Sequence, residues 1–370
     1  MGVDFEAEGL LDELEGADRE ARRQLLEHLA QEGFSLEDLG TAVAEDRLAL
    51  LAVERVLGGK LTATEVQERT GLPAELLGRL RRMLGLSDPG PDARVYGEED
   101  IAMAQSTQRF IEAGLSERAI GEMTRVLGES MARLAATTAS AFVETFLEPG
   151  DTEYDVALRF ASLAEELTPA VHPILVAAYN AHLRESVRRG MIGAAEREAG
   201  ALAEAQDLCV CFADLVGFTR MGVQVQAQEL GGLAGRFAEL ANEVTTGPVR
   251  LIKTIGDAAM FVSPNPVAMV DVALSFAEAM RKAEMPSVRA GIASGPTLLR
   301  AGDYYGHSVN LASRVTGVAR PDSVLCTQEV REAAADAFEW SFAGKHRLKG
   351  VGEAVPLHRA RRLKADRASS

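Results

Sequence analysis

The sequence predicts an α+β fold, with a helical first half and a second half in which helices pack on a β-sheet. Up to residue 205, apolar residues recur at spacings of three and four, the period of a helix. Beyond residue 206, short apolar runs of strand length alternate with helical segments. The 370 residues are 47% hydrophobic and 25% charged, a globular composition that excludes disordered and collagen-like chains. A chain of this length is expected to form two domains.

The elements of the second half are predicted in order from apolar spacing and turn residues. We expect a strand at 208–213, a helix at 229–244, two strands within 249–263, a helix at 266–283, a strand at 288–294, a helix at 308–318 and a terminal hairpin around Val351. The two strands within 249–263 are expected to turn at Gly256 and Asp257. Strands and helices mixed in this way indicate an α/β sandwich.

The acidity of the chain belongs to its first half. Residues 1–200 carry 20 Lys and Arg against 37 Asp and Glu, whereas residues 201–370 carry 19 against 18, for a net charge of −16. A polyanion binder needs clustered basic side chains, so nucleic acid is not the expected partner of the first half. The near-neutral second half can hold a focused site for an anionic small molecule.

The cysteines and the N-terminus indicate a cytoplasmic protein. Cys209, Cys211 and Cys326 are too few for a disulfide framework and have no metal-site spacing, so we expect small buried thiols. The start of the sequence has no basic, apolar signal. The longest apolar stretch, 171–179, is far too short to span a membrane and contains His172 and Pro173.

The first half divides into a helical domain at 1–185 and a linker helix at 186–206. The linker is rich in Ala, Glu and Arg and has no Pro, so it is expected to be helical and to couple the domains mechanically. Within the helical domain, residues 61–99 resemble the front of a MerR-type winged helix-turn-helix with a wing-like hairpin. With its flanks Lys60 and Asp100, this segment holds six basic and eight acidic side chains, and 72–77 has no Lys or Arg. We interpret it as a helical scaffold.

Two aspartates follow strand-like runs and are candidates for binding divalent cations. Asp214 leaves a buried strand just before Gly217, and Asp257 lies at a hairpin tip, four residues after Lys253. An Asp at either position, taken alone, most often serves only to stabilise a turn. Two carboxylates on neighbouring strands can hold a pair of divalent ions that clamp a phosphoryl group.

A third motif lies at 303–314 and contains Asn310 and Arg314. These residues are four apart on a predicted helix, so their side chains share a face. A guanidinium stays charged and offers fixed donors, which suits a charge-rich phosphoryl transition state. Taken alone, the pair is more simply interpreted as an Asn near the start of a helix and an Arg exposed to solvent.

In this order and spacing, the three motifs resemble the catalytic domain of class III nucleotidyl cyclases over 207–360. The resemblance implies a ferredoxin-like α/β sandwich at 207–370 and two divalent cations, Mg²⁺ or Mn²⁺. It further implies roles for individual residues: Asp214, Asp257 and the carbonyl of Leu215 for the metals, Lys253 and Asp303 for the purine, Asn310 and Arg314 for the transition state, and Lys349 or Lys345 for the outer phosphates.

Lys253 and Asp303 point to ATP as the substrate. Adenine presents a donor beside an acceptor, which an acceptor carboxylate and a donor ammonium complement, whereas guanine reverses that edge. The reaction is then attack of the ribose 3′-oxygen on the α-phosphorus, giving 3′,5′-cyclic AMP and pyrophosphate. In this family the sites lie at a head-to-tail dimer interface. Since the chain holds the complete set, we expect a homodimer.

The first half resembles, more loosely, the helical regulatory domains of actinobacterial adenylyl cyclases, some of which respond to pH. His182, just before the linker, is a candidate pH-sensitive group, although an exposed helical His is the simpler interpretation. The alternative function is a transcriptional regulator that uses 61–99 on DNA and the second half as a nucleotide sensor. A sensor needs neither Asn310 nor Arg314, which favours the enzyme.

Overall fold

The computed structural model describes residues 4–12, 14–88, 90, 92–189 and 205–363. The chain forms two compact units, Met1–Met191 and Ile192–Ser370. The middle of the predicted linker helix lies outside the described residues, which end at Arg189 on one side and resume at residue 205 on the other. Each unit is described by itself.

The first unit is helical, as predicted. Its helices are α1 (Gly16–Gln31), α2 (Leu36–Ala44), α3 (Leu51–Leu57), α4 (Ala63–Thr70), α5 (Ala74–Met83), α6 (Glu98–Glu112), α7 (Glu117–Phe146) and α8 (Glu153–Arg189), with a 3₁₀ turn at Leu48–Leu50. One core joins the first three helices to the start of α8, and a second core lies among α4, α5, α6 and the start of α7. Among the described residues, no helix combines the length and apolar character that a membrane crossing requires.

The segment at 61–99, which resembles a winged helix-turn-helix, contains helices α4 and α5. Thr62 and Glu65 form a capping box at the start of α4, and Gly71, at φ +77°, ends that helix. In the part of this segment that the structure describes, the expected hairpin is reduced to one isolated bridge between Leu61 and Tyr96.

The second helix of this motif, α5, is turned towards the core of the unit. It extends beyond 72–77 and so includes three arginines, each with an intramolecular contact. Arg79 pairs with Glu117, Arg82 pairs with Asp88, and Arg81 lies over the ring of Tyr96. These contacts favour the scaffold interpretation.

The second unit is built on an eight-stranded sheet. Its strands are β1 (Gln206–Leu215), β2 (Arg250–Ile255), β3 (Ala258–Ser263), β4 (Val288–Arg300), β5 (Asp303–Tyr305), β6 (Ser323–Thr327), β7 (Glu339–His346) and β8 (Val355–Arg361). Its helices are α9 (Phe218–Gln224), α10 (Ala227–Glu243), α11 (Pro266–Lys282), α12 (His307–Val318) and α13 (Gln328–Ala333). The strand order is β2-β3-β1-β4-β6-β8-β7, with β5 paired to β4, and only β4 and β6 run parallel.

The first part of this unit has the predicted ferredoxin-like topology. The order β1-α10-β2-β3-α11-β4 is a βαββαβ repeat, and its four strands pair as β4-β1-β3-β2. Alternate residues of β1 enter two cores: Cys209 and Cys211 face α10 and α11, whereas Leu208 and Val210 face α12. Asp214 has the parity of the α12 face, so the sheet directs it away from α10 and α11.

Candidate active site

Asp214 and Asp257 lie side by side at one end of the sheet. Asp214 is paired with Ala258 in the register of β1 and β3, and Asp257 lies in the turn just before that residue. The backbone N–H of Leu215 donates to the Asp257 carbonyl at 2.9 Å, which ties the end of β1 to the hairpin tip. Gly256 adopts φ +57° and so permits the tight turn. The structure thus brings the two predicted carboxylates together.

The carboxyl group of Asp257 has a raised pKa. Burial is the main cause, and the neighbouring Asp214 carboxylate adds to it through charge and hydrogen bonding. Two neighbouring carboxylates concentrate negative charge, which attracts a cation. Their hard oxygen atoms are donors of the kind that Mg²⁺ and Mn²⁺ prefer, so this pair fits the implied metal ions.

Arg289 also belongs to this cluster, and sequence reasoning missed it. Its Nε and Nη2 donate to Oδ2 of Asp214 at 3.0 and 2.6 Å, and its Nη1 donates to the Gly317 carbonyl at 3.4 Å. Arg289 stands directly opposite Asp214 in the register of β1 and β4. A charged residue inside the buried strand pattern around 288–293 was the available signal, since such a residue needs a partner.

Lys253 and Asp303 form an ion pair, although 50 positions separate them. Lys253 lies on the edge strand β2, and Asp303 begins β5, which folds back on the end of β4. The Tyr304 backbone donates to Oδ1 of Asp303 at 2.9 Å, and the Arg250 guanidinium lies over the Tyr304 ring. Both members of the pair are about one-third exposed, so a ligand can reach them.

Helix α12 presents Asn310 and Arg314 to solvent while its opposite side packs on the sheet. Leu311, Ala312 and Val315 are buried against β1 and β4. Neither Asn310 nor Arg314 makes a side-chain hydrogen bond or ion pair with a described residue. Two donor side chains are therefore free on one exposed helix face, as the spacing predicts.

A glycine lets α12 approach the sheet closely. A Cβ added at Gly291 of β4 would lie 2.2 Å from the Thr316 nitrogen and 2.7 Å from the Ala312 carbonyl oxygen. Thr316 in turn donates from Oγ1 to the Phe212 carbonyl at 3.1 Å. The packing of α12 on the sheet, and with it the placement of the Asn310 and Arg314 side chains, depends on this contact.

Lys349 and Lys345 are both exposed near the β7–β8 hairpin. Lys349 follows the buried Leu348 in the loop, and Lys345 lies on β7 opposite Pro356. Neither ammonium group contacts another predicted site residue in the described part of the chain. The choice of Lys349 as the phosphate ligand therefore stays a prediction.

The site and the fold together define a nucleotidyl cyclase, and comparison with known proteins agrees. The family model for the adenylate and guanylate cyclase catalytic domain matches residues 201–358. The model for the adenylate cyclase regulatory domain matches residues 3–187. The chain belongs to the adenylate cyclases in which such a regulatory domain precedes the catalytic domain.

Two relatives are similar to this chain over most of its length. The pH-sensitive adenylate cyclase MT1302 of Mycobacterium tuberculosis is 40% identical over 370 residues, covering 97% of this chain and 92% of the relative. An adenylate cyclase of Streptomyces coelicolor is 35% identical over 291 residues, covering 76% of this chain and 74% of the relative. The likeness therefore extends through both halves of the chain.

Proposed function

We propose that this chain converts ATP to 3′,5′-cyclic AMP and pyrophosphate. The observation that carries the proposal is the joint presence, in one cyclase fold, of the Asp214 and Asp257 pair and the Lys253 and Asp303 pair. The first pair supplies hard oxygen ligands, and the second offers an ammonium donor beside a carboxylate acceptor. The relatives in Mycobacterium tuberculosis and Streptomyces coelicolor are both adenylate cyclases by name.

Asp214 and Asp257, with the carbonyl of Leu215, would hold two divalent cations, Mg²⁺ or Mn²⁺. When bound, these ions neutralise the phosphates and favour ionisation of the 3′-hydroxyl group. The chain itself contributes ligands on rigid elements, because Asp214 lies next to the last residue of β1 and the Leu215–Asp257 hydrogen bond fixes the hairpin tip.

The remaining site residues bind and orient ATP. Lys253 and Asp303 would read the donor and acceptor edge of adenine, and their mutual ion pair keeps both groups in place for it. Asn310 and Arg314 would donate hydrogen bonds to charge that develops on the reacting phosphate. Lys349, or Lys345 in its place, would bind the outer phosphates.

The active sites are shared between two chains in a homodimer. Asn310 and Arg314 are exposed and unpartnered within the described part of their own chain, so they are available to a site on a second copy. Since one chain contains metal, purine and transition-state residues, a symmetric dimer would build two equivalent sites.

The helical domain at 1–185 is the regulatory part, the segment at 186–206 couples it to the catalytic domain, and 207–370 performs the reaction. The alternative, a DNA-binding regulator, is not favoured because the helix α5 arginines make contacts within their own unit. His182 is exposed on α8, where it stays a candidate for pH control.

The decisive experiment is cyclic AMP formation by the full chain with Mg²⁺ or Mn²⁺, using ATP and GTP in parallel. We expect ATP turnover, and we expect Asp257→Asn to lower it by about a hundredfold or more, because a cation ligand is lost. Asp271→Asn is the matched control, since Asp271 is a surface carboxylate on α11 and pairs with Arg362. Full turnover by Asp257→Asn at saturating cation would refute the metal assignment.

A further inference from the structure

The Arg289 guanidinium covers one oxygen of a candidate metal ligand. Two of its nitrogens donate to the same Asp214 atom, Oδ2, at 3.0 and 2.6 Å. The two side chains are only 32% and 23% exposed. Because the residues stand opposite each other on adjacent strands, the contact is built into the sheet. The strong hydrogen bonds of an Arg–carboxylate pair thus lie where a cation would bind.

The charges at this place set up a competition. Asp214 and Asp257 contribute two carboxylates, and Arg289 faces them with one positive charge. A divalent ion held by the carboxylates would be repelled by the guanidinium at short range. If both carboxylate oxygens of Asp214 served as cation ligands, the cation would also need Oδ2, which accepts the hydrogen bonds of Arg289.

We propose that Arg289 is a positioning residue that competes with divalent cations for Oδ2 of Asp214, and so sets the cation concentration at which the site fills. The inference rests on the proposed function, which assigns Asp214 as a metal ligand. A guanidinium that only oriented Asp214 would have the opposite effect. Its removal would then weaken cation binding, whereas removal of a competitor strengthens binding.

The test is a titration of the full chain with Mn²⁺ alone, without nucleotide, in which electron paramagnetic resonance measures the free ion. We expect Arg289→Gln to lower the Mn²⁺ Kd by about tenfold, because a nearby positive charge and a competing donor are both removed. Arg289→Lys keeps the positive charge but replaces the planar guanidinium by one ammonium group. Its Mn²⁺ Kd should therefore lie between that of the wild type and that of Arg289→Gln. Arg320→Gln, an exposed arginine of the same unit, should leave the Kd within about twofold of wild type.

An unchanged or higher Kd in Arg289→Gln, with native circular dichroism, would overturn the proposal. If that variant fails to fold, Arg289→Lys decides in the same way. The effect of Arg289→Gln should also shrink in an Asp214→Asn background, because the contested oxygen is then part of a neutral amide. Equal Mn²⁺ binding by wild type and Asp214→Asn would overturn the inference, while cyclic AMP formation by the wild type tests the proposed function separately.

Discussion

At the scale of single residues, the site consists of charged pairs that the fold brings together from distant positions. Asp214 contacts Arg289, 75 positions away, and Lys253 contacts Asp303, 50 positions away. The motifs predicted Asp214 and Asp257 because their residue types and positions suit cation binding, whereas the purine role of Lys253 and Asp303 is what the family resemblance implies. Residue spacing alone does not predict the Asp214–Arg289 and Lys253–Asp303 contacts, since the register of the sheet and the fold of β5 decide them.

The Lys253 and Asp303 pair leads to a prediction about base choice. We expect Lys253→Glu with Asp303→Cys to lower ATP turnover by about tenfold or more and to raise the ratio of GTP to ATP use. The reason is that Lys253→Glu replaces a hydrogen-bond donor by an acceptor and Asp303→Cys removes a carboxylate acceptor. The donor and acceptor groups of adenine would then lack partners. The measurement is kcat/KM for both nucleotides.

The double variant needs a control for the change of charge at Lys253. Lys282→Glu makes the same change at the exposed end of α11 and should leave both kcat/KM values within about twofold. An ATP preference that the double variant leaves unaltered would mean that these two residues do not read the base.

At the scale of elements, the sequence predicted the long helices and the strands of the first hairpin and missed four short elements. The helices near 229–244, 266–283 and 308–318 and the strands around β1, β2 and β3 agree with the structure to within a few residues. The predictions omitted α9, β5, β6 and α13, which have between three and seven residues. Such segments are too short for a period to emerge, and tertiary pairing decides their structure.

The contact between Gly291 and α12 leads to a second prediction. We expect Gly291→Ala to destabilise the chain by about 1–3 kcal/mol, because the added methyl group overlaps the α12 backbone. Activity should fall beyond the loss of folded protein, since the shifted helix carries Asn310 and Arg314. Thermal unfolding and kcat at a temperature where the variant is folded are the two measurements.

Gly317→Ala is the matched control for this substitution. Gly317 is exposed near the end of the same helix, and a Cβ there meets nothing within 4 Å. It should leave kcat unchanged and stabilise the helix by about 0.5–1 kcal/mol. If Gly291→Ala keeps the wild-type kcat and stability, the close packing does not position the catalytic helix.

At the scale of the whole molecule, two compact units accompany two family matches, which end at residue 187 and begin at residue 201. Periodicity and composition predicted a helical half and a mixed half, because these features depend on local sequence. The functions of the two halves cannot be predicted from local sequence in the same way. The proposed regulation by the first unit and the proposed sharing of sites between chains would depend on contacts beyond a single unit.

We propose that two copies of this chain build an adenylate cyclase site together, and complementation between two inactive variants tests this arrangement. Asp257→Ala lacks a proposed metal ligand, and Arg314→Ala lacks a proposed transition-state donor, so each homodimer should be nearly inactive. A mixed dimer collects both lesions in one site and leaves the other site intact.

The measurement is cyclic AMP formation by the two variants co-expressed in equal amounts, with heterodimers demonstrated by two affinity tags. Half of the dimers are then mixed, and each mixed dimer has one working site of two, so we expect about a quarter of wild-type activity. Activity that stays at the level of the separate variants, despite demonstrated heterodimers, would contradict a site shared between chains.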